Sequence, residues 1–152
     1  MSLLSRRILG TQLWTEGDHV SIQSSVQEPR QRYKVVWRWV LLGGYVACIF
    51  ALSSIPGQHL PHVRVSDKLI HAGEFGLLGI LMCRALTARL PTWPWARIAL
   101  LSILATVFYG ATDEFHQLFV PARTAELADL AADSLGATLA AWGWLKVGAH
   151  WT

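Results

Sequence analysis

Between Ile98 and Thr112 the chain runs fifteen residues without a charge, and the next turn then carries Asp113, Glu114 and His116. A stretch of this kind raises the question of solvent before any question of fold. In water, a polar turn after a buried helix is ordinary. In a bilayer the same acids are expensive, and therefore informative. The rest of the chain decides the matter. Apolar segments run from Val35 to Ile55, from about Leu69 to Leu86, from about Ala96 to Leu118 and from about Leu127 to Val147. Each is roughly 18–23 residues, and about 20 residues of helix at ~1.5 Å rise cross a ~30 Å hydrocarbon core. Strand alternation is absent, and four helices this apolar would leave a soluble bundle without a wet face. Only 15% of residues are charged, against about a quarter in soluble domains. The expected fold is all-α, a polytopic membrane protein built as a four-transmembrane-helix bundle. Small residues suit close helix packing in lipid: Gly43, Gly44, Gly73, Gly76, Gly79, Ala131, Ala132, Gly136 and Ala137.

Lysine and arginine set the orientation. With a cytoplasmic N-terminus, the inside holds Arg6, Arg7, Arg30, Arg32, Lys34, Arg38, Arg84, Arg89, Arg97 and Lys146, ten of the 13. Arg64, Lys68 and Arg123 remain outside. The positive-inside rule therefore places both termini in the cytoplasm. Trp37, Trp39, Trp93, Trp95, Trp142 and Trp144 fall at the same ends, as an interfacial belt does. The net charge of +3 is thus a topology signal, and no nucleic-acid partner is expected.

Residues 1–34 form a polar N-terminal extension ahead of a transmembrane domain at 35–147. Its opening SRRILG resembles a twin-arginine signal, but Glu16 and Asp18 follow soon after and no long apolar core or cleavage site appears. Leu3, Leu4, Ile8 and Leu9 could form a short membrane-surface helix; disorder is the other reading. Cys48 and Cys83 both lie in apolar runs and read as small packed residues rather than a disulfide or zinc pair.

In this topology the start of helix 2, the end of helix 3 and the start of helix 4 share the outer side. Nearly all the intramembrane polar residues sit there. Asp67, His71 and Glu74 fall on one face of helix 2 at i, i+4 and i+7. Asp113, His116 and Gln117 share a face of helix 3, with Glu114 turned about 100° from Asp113. Asp129 and Asp133 open helix 4, and the connection before it supplies Pro121 and Arg123. His59, His62 and Arg64 occupy the first outer loop. Asp67 and Asp129 also suit helix N-termini, where an acid accepts backbone N–H bonds or meets the dipole. Glu74 and Asp133 have no capping role, and pairing of either with His71 or His116 would hold helices together.

DKLIHAGEFGLLG at 67–79 and DEFHQLFVPARTAELADLAADSLGA at 113–137 resemble the two signature blocks of the VanZ-like membrane protein family. With helix 1, the resemblance covers about residues 35–147. Matched by position, the characteristic polar residues fall on Asp67, Lys68, His71, Asp113, Glu114, Gln117, Arg123 and Asp129. Position 133, commonly Asn in that family, is Asp here, which adds a negative charge. The resemblance implies the bacterial cytoplasmic membrane and, through the founding member, a link to glycopeptide (teicoplanin) resistance; it implies no reaction.

Two classes of function follow. In one, an outward pocket binds or processes an anionic lipid-linked envelope molecule. Arg123 and Lys68 would meet phosphate or carboxylate, with Asp67, Gln117 and Asp129 as further ligand contacts. His71, Glu74, Asp113, Glu114, His116 and Asp133 would serve as acids and bases. His71, Glu74, Asp113, His116 and Asp133 would also suit a divalent metal such as zinc, manganese or iron. In the other class, the polar residues are a structural network in an accessory or scaffold protein. A proton-coupled transporter is a weaker third, since four helices offer a small pathway and no internal repeat is visible.

Overall fold

A computed structural model describes the backbone of residues 16–59 and 66–147, and the side chains of 32–59 and 66–147. The surface helix considered for Leu3 to Leu9, and the loop residues His62 and Arg64, lie outside the described residues. The chain divides into residues 1–34 and 35–152, and the bundle lies in the second. Four helices follow one another: α1 (Glu16–Ser53), α2 (Asp67–Arg89), α3 (Trp95–Gln117) and α4 (Leu127–Val147), with a 3-10 turn at Gly57–His59. No strand occurs among the described residues.

Proline sets several of the ends. Pro56 disfavours helix at Ile55, and α1 stops at Ser53. Pro91 follows the last turn of α2, where the Leu90 N–H closes on the Leu86 carbonyl at 2.8 Å. Pro94 stands at the N-cap of α3, where its fixed φ and missing N–H are harmless. The connection after α3 turns through Ala122, whose φ of 57° is the one positive value outside glycine among the described residues. The Ala122 carbonyl leaves no room at Gly57, where any Cβ would overlap it. A backbone bond of 3.0 Å from Gly57 N to Pro121 O ties the two connections together.

Three helices, at Arg32–Ser53, Asp67–Arg89 and Trp95–Gln117, are long and apolar enough to cross a membrane. α4 is 21 residues long but carries Asp129, Asp133 and Lys146, and is not among them. Many large apolar side chains face outward, including Val40, Phe50, Leu77, Leu104, Phe108 and Leu139, as lipid-facing helices require.

The tightest approach is between α2 and α4, and it depends on small residues. A Cβ at Gly79 would meet Ala137 Cα at 3.3 Å, and one at Gly76 would meet the Gly136 carbonyl at 3.5 Å. At Gly136 it would overlap the Ala72 carbonyl outright. Backbones this close gain dispersion contacts that lipid tails cannot match. α3 packs on both. α1 has no comparable backbone approach; it attaches through Leu42, Ile49, Tyr45 and Val46 around Phe75, Leu78 and Ala85. At the far end Trp95 and Trp144 lie 6.4 Å apart, and Lys146 Nζ sits 4.1 Å above the Trp142 ring.

Candidate functional site

The ends of α1 and α3 and the starts of α2 and α4 meet at one end of the bundle. A cavity of about 340 Å³ lies there, between α1 on one side and α2 and α3 on the other. Ser53, Asp67, His71, Glu74, Asp113, Gln117 and Arg123 supply its polar lining, and Leu52, Ile55 and Ile70 its apolar walls. The loosely attached helix is thus one wall of the cavity.

Two hydrogen-bonded groups build the walls. Asp113 is buried, and its Oδ2 accepts from Ser53 Oγ at 2.8 Å and Gln117 Nε2 at 3.1 Å. This joins α1 to α3, and the Asp113–Gln117 spacing of one turn follows from helix geometry. His71 Nδ1 and Asp133 Oδ1 stand 3.0 Å apart, joining α2 to α4. Asp133 has no solvent exposure, so His71 is held by a buried carboxylate while its ring lines the cavity. A histidine held this way by a buried carboxylate is arranged as a proton acceptor or metal ligand.

Other predicted residues stand behind or beside the cavity. Glu114 turns away from Asp113, as the helical rotation requires, and its Oε2 accepts the Glu126 N–H at 2.8 Å. Lys68 bridges Glu126 at 2.7 Å and Asp129 at 2.5 Å. It is therefore occupied by acids of its own chain. Asp129 is buried in the first turn of α4 and makes this ion pair from there. His116 leaves the cavity, bonding Ser54 Oγ at 3.1 Å with its ring 4.5 Å from that of Phe50. Asp67 begins α2 and is exposed; the N-cap position is Ser66, with no side-chain cap bond. His59 is exposed in the 3-10 turn.

Arg123 faces the cavity and grips α1. Its Nε donates to the Ile55 carbonyl at 3.2 Å and its Nη2 to the Leu52 carbonyl at 3.4 Å. Leu52 lies in the last turn of α1 and Ile55 just beyond it, at the negative pole of the helix dipole, where a guanidinium is favoured.

The side chains also fall into two triplets whose potential metal-ligating atoms lie within 4.8 Å of one another: Asp67, His71 and Asp129, and His71, Glu114 and Asp133. Glu74, Asp113 and His116, part of the ligand set expected from sequence, belong to neither. Sequence reading gave no role to Ser53, Ser54 or Glu126. The signal available was weak: two serines closing an apolar segment at the end where the other polar residues collect.

A family model described as VanZ/LLP1 matches residues 20–148. The match begins inside the N-terminal extension rather than at residue 35. No curated protein and no solved structure matches the chain.

Proposed function

This chain belongs to the VanZ/LLP1 family, and we propose that it crosses the bacterial cytoplasmic membrane four times and binds the head group of an anionic, lipid-linked envelope molecule in the cavity at its outer end. The observation that carries this reading is the composition of that cavity. It combines Arg123 and hydrogen-bonding side chains with the apolar walls Leu52, Ile55 and Ile70, which suits an amphiphile. The anion would sit at Arg123. Asp67, Glu74 and Asp113 would accept from hydroxyl or amide donors of the head group, or hold a proton or cation beside it. Processing of the bound molecule would fall to His71, and the family name supplies the link to glycopeptide resistance.

The fourth crossing and the orientation belong to the same proposal. α4 is 21 residues long, about 30 Å of helix, and it lies against α2 throughout. Both termini are then inside. In a chain with Cys48 and Cys83 replaced, Gln58→Cys should react with an impermeant thiol reagent on intact cells, and Thr92→Cys only after lysis. The reverse pattern would overturn the orientation.

A second reading rests on the bonding just described: Ser53, Asp113 and Gln117 tie α1 to α3, and His71 and Asp133 tie α2 to α4, as they would in an accessory protein with a structural network. Glu74 separates the two. It is half-buried and lines the cavity; Tyr45 Oη donates to its backbone carbonyl at 3.1 Å, and among the described residues no side-chain bond engages its carboxylate. We expect a polyprenyl phosphate to raise the thermal unfolding temperature of detergent-purified protein more than an uncharged polyprenol of equal length. Glu74→Gln should tighten binding of the phosphate about fivefold, by removing about 1 kcal/mol of like-charge repulsion. Equal response to the two lipids, or none, would favour the structural network.

A further inference from the structure

We propose that His71, Glu114 and Asp133 form a buried divalent-metal site behind the cavity, with zinc the metal that fits first. The proposal stands whether or not the cavity binds a lipid head group.

All three side chains are buried, with 7%, 7% and 0% exposure, and their ligating atoms lie within 4.8 Å of one another. Two of the oxygens, Glu114 Oε1 and Asp133 Oδ2, have no hydrogen-bond partner among the described residues. A buried carboxylate oxygen left without a donor is costly, and two of them beside one imidazole call for a shared positive partner.

Among the described residues, the lysine and arginine at this end are engaged elsewhere. Lys68 pairs with Glu126 and Asp129, and Arg123 donates to the carbonyls of Ile55 and Leu52. This also separates the two candidate triplets. In the one made by Asp67, His71 and Asp129, Asp67 is exposed and Asp129 is matched by Lys68. In the one made by His71, Glu114 and Asp133, two carboxylates share a single imidazole.

Space and geometry agree. α3 passes Asp133 at a glycine: a Cβ at Gly110 would stand 3.0 Å from Asp133 Oδ2 and 3.2 Å from the Phe75 ring, so any side chain there would crowd that oxygen. Two ligands on one tetrahedral zinc, at bonds of about 2.0 Å, lie about 3.3 Å apart. His71 Nδ1 and Asp133 Oδ1 are 3.0 Å apart, a few tenths of an ångström from that spacing, so an ion would take the place of the proton the two now share. One nitrogen and carboxylate oxygens form a donor set for zinc, manganese or iron rather than for magnesium or calcium, which take oxygen alone.

Metal content per chain, measured on full-length protein purified in detergent without chelator and then offered zinc, tests the site. Near-stoichiometric zinc is expected. Glu114→Gln and Asp133→Asn keep shape and a hydrogen-bond acceptor while removing one charge each. Either should weaken zinc by at least the 10–100-fold typical of losing even an outer carboxylate. Asp67→Asn, in the neighbouring triplet, should bind zinc as the unaltered chain does. Zinc retained in both buried variants, or lost only in Asp67→Asn, would overturn the assignment. So would a well-folded unaltered chain that binds no zinc, manganese or iron, a measurement that does not depend on any variant folding.

Discussion

Gly136→Ala should prevent the bundle from assembling, although it adds a single methyl group. The new Cβ would overlap the Ala72 carbonyl oxygen and lie 2.9 Å from its carbon and 3.0 Å from the Ala72 Cα. These are backbone atoms on a helix, so no rotamer change relieves them. α2 and α4 must separate, and every close contact along Gly76, Gly79, Ala137 and Ala140 opens with them. The expected loss is at or above the upper end of the roughly 1–3 kcal/mol range for overpacked cores. Gly73→Ala supplies the contrast. Nothing lies within 4 Å of a Cβ there, and alanine in a helix gains about 0.5–1 kcal/mol over glycine. Thermal unfolding of the two purified variants checks the pair. Similar stability in both would mean that α2 and α4 do not approach as closely as described.

That contrast also marks how far the sequence could be read. Both glycines lie in apolar helical segments and look alike as small residues suited to packing. Which one faces a neighbouring backbone depends on helix rotation and crossing, and the composition of a segment carries neither. The apolar segments themselves were legible, because bilayer thickness and helical rise leave few ways to use about 20 uncharged residues. So was the gathering of polar side chains at one end, since it follows from connection order alone.

Partner choice was less legible. Helical spacing places Asp113 and Gln117 on one face, and their hydrogen bond follows. The expectation that Asp133 or Glu74 would pair with a histidine becomes a particular contact, Asp133 with His71. No local pattern selected that pair over His116, 62 residues from Ser54 in sequence and bonded to it instead. Lys68 and Asp129 both stood out as polar residues at helix starts. Their ion pair, shared with Glu126, requires α2 and α4 to begin at the same level.

Arg123 is the residue for which the structure changes the question most. From sequence it is an anion-binding group. In the structure the guanidinium already holds two carbonyls at the end of α1. Because α1 is the most loosely attached helix and one wall of the cavity, Arg123 closes that wall while facing what enters. Arg123→Ala should therefore reduce thermal stability and polyprenyl phosphate binding together. For stability we expect a loss near the low end of the about 1.5–3 kcal/mol assigned to charged hydrogen bonds, since the side chain is half-exposed. Arg123→Lys should recover part of both, because one ammonium cannot span two carbonyls as the planar fork does. Arg123→Gln separates the roles. Its amide can still donate to a carbonyl of α1, so stability should return most of the way, but it brings no charge to an anion. Restored stability with phosphate binding still lost would assign the anion to Arg123. Restored stability with full binding would leave Arg123 as a helix cap alone, and the anionic head group would lose the one arginine or lysine that lines its cavity among the described residues.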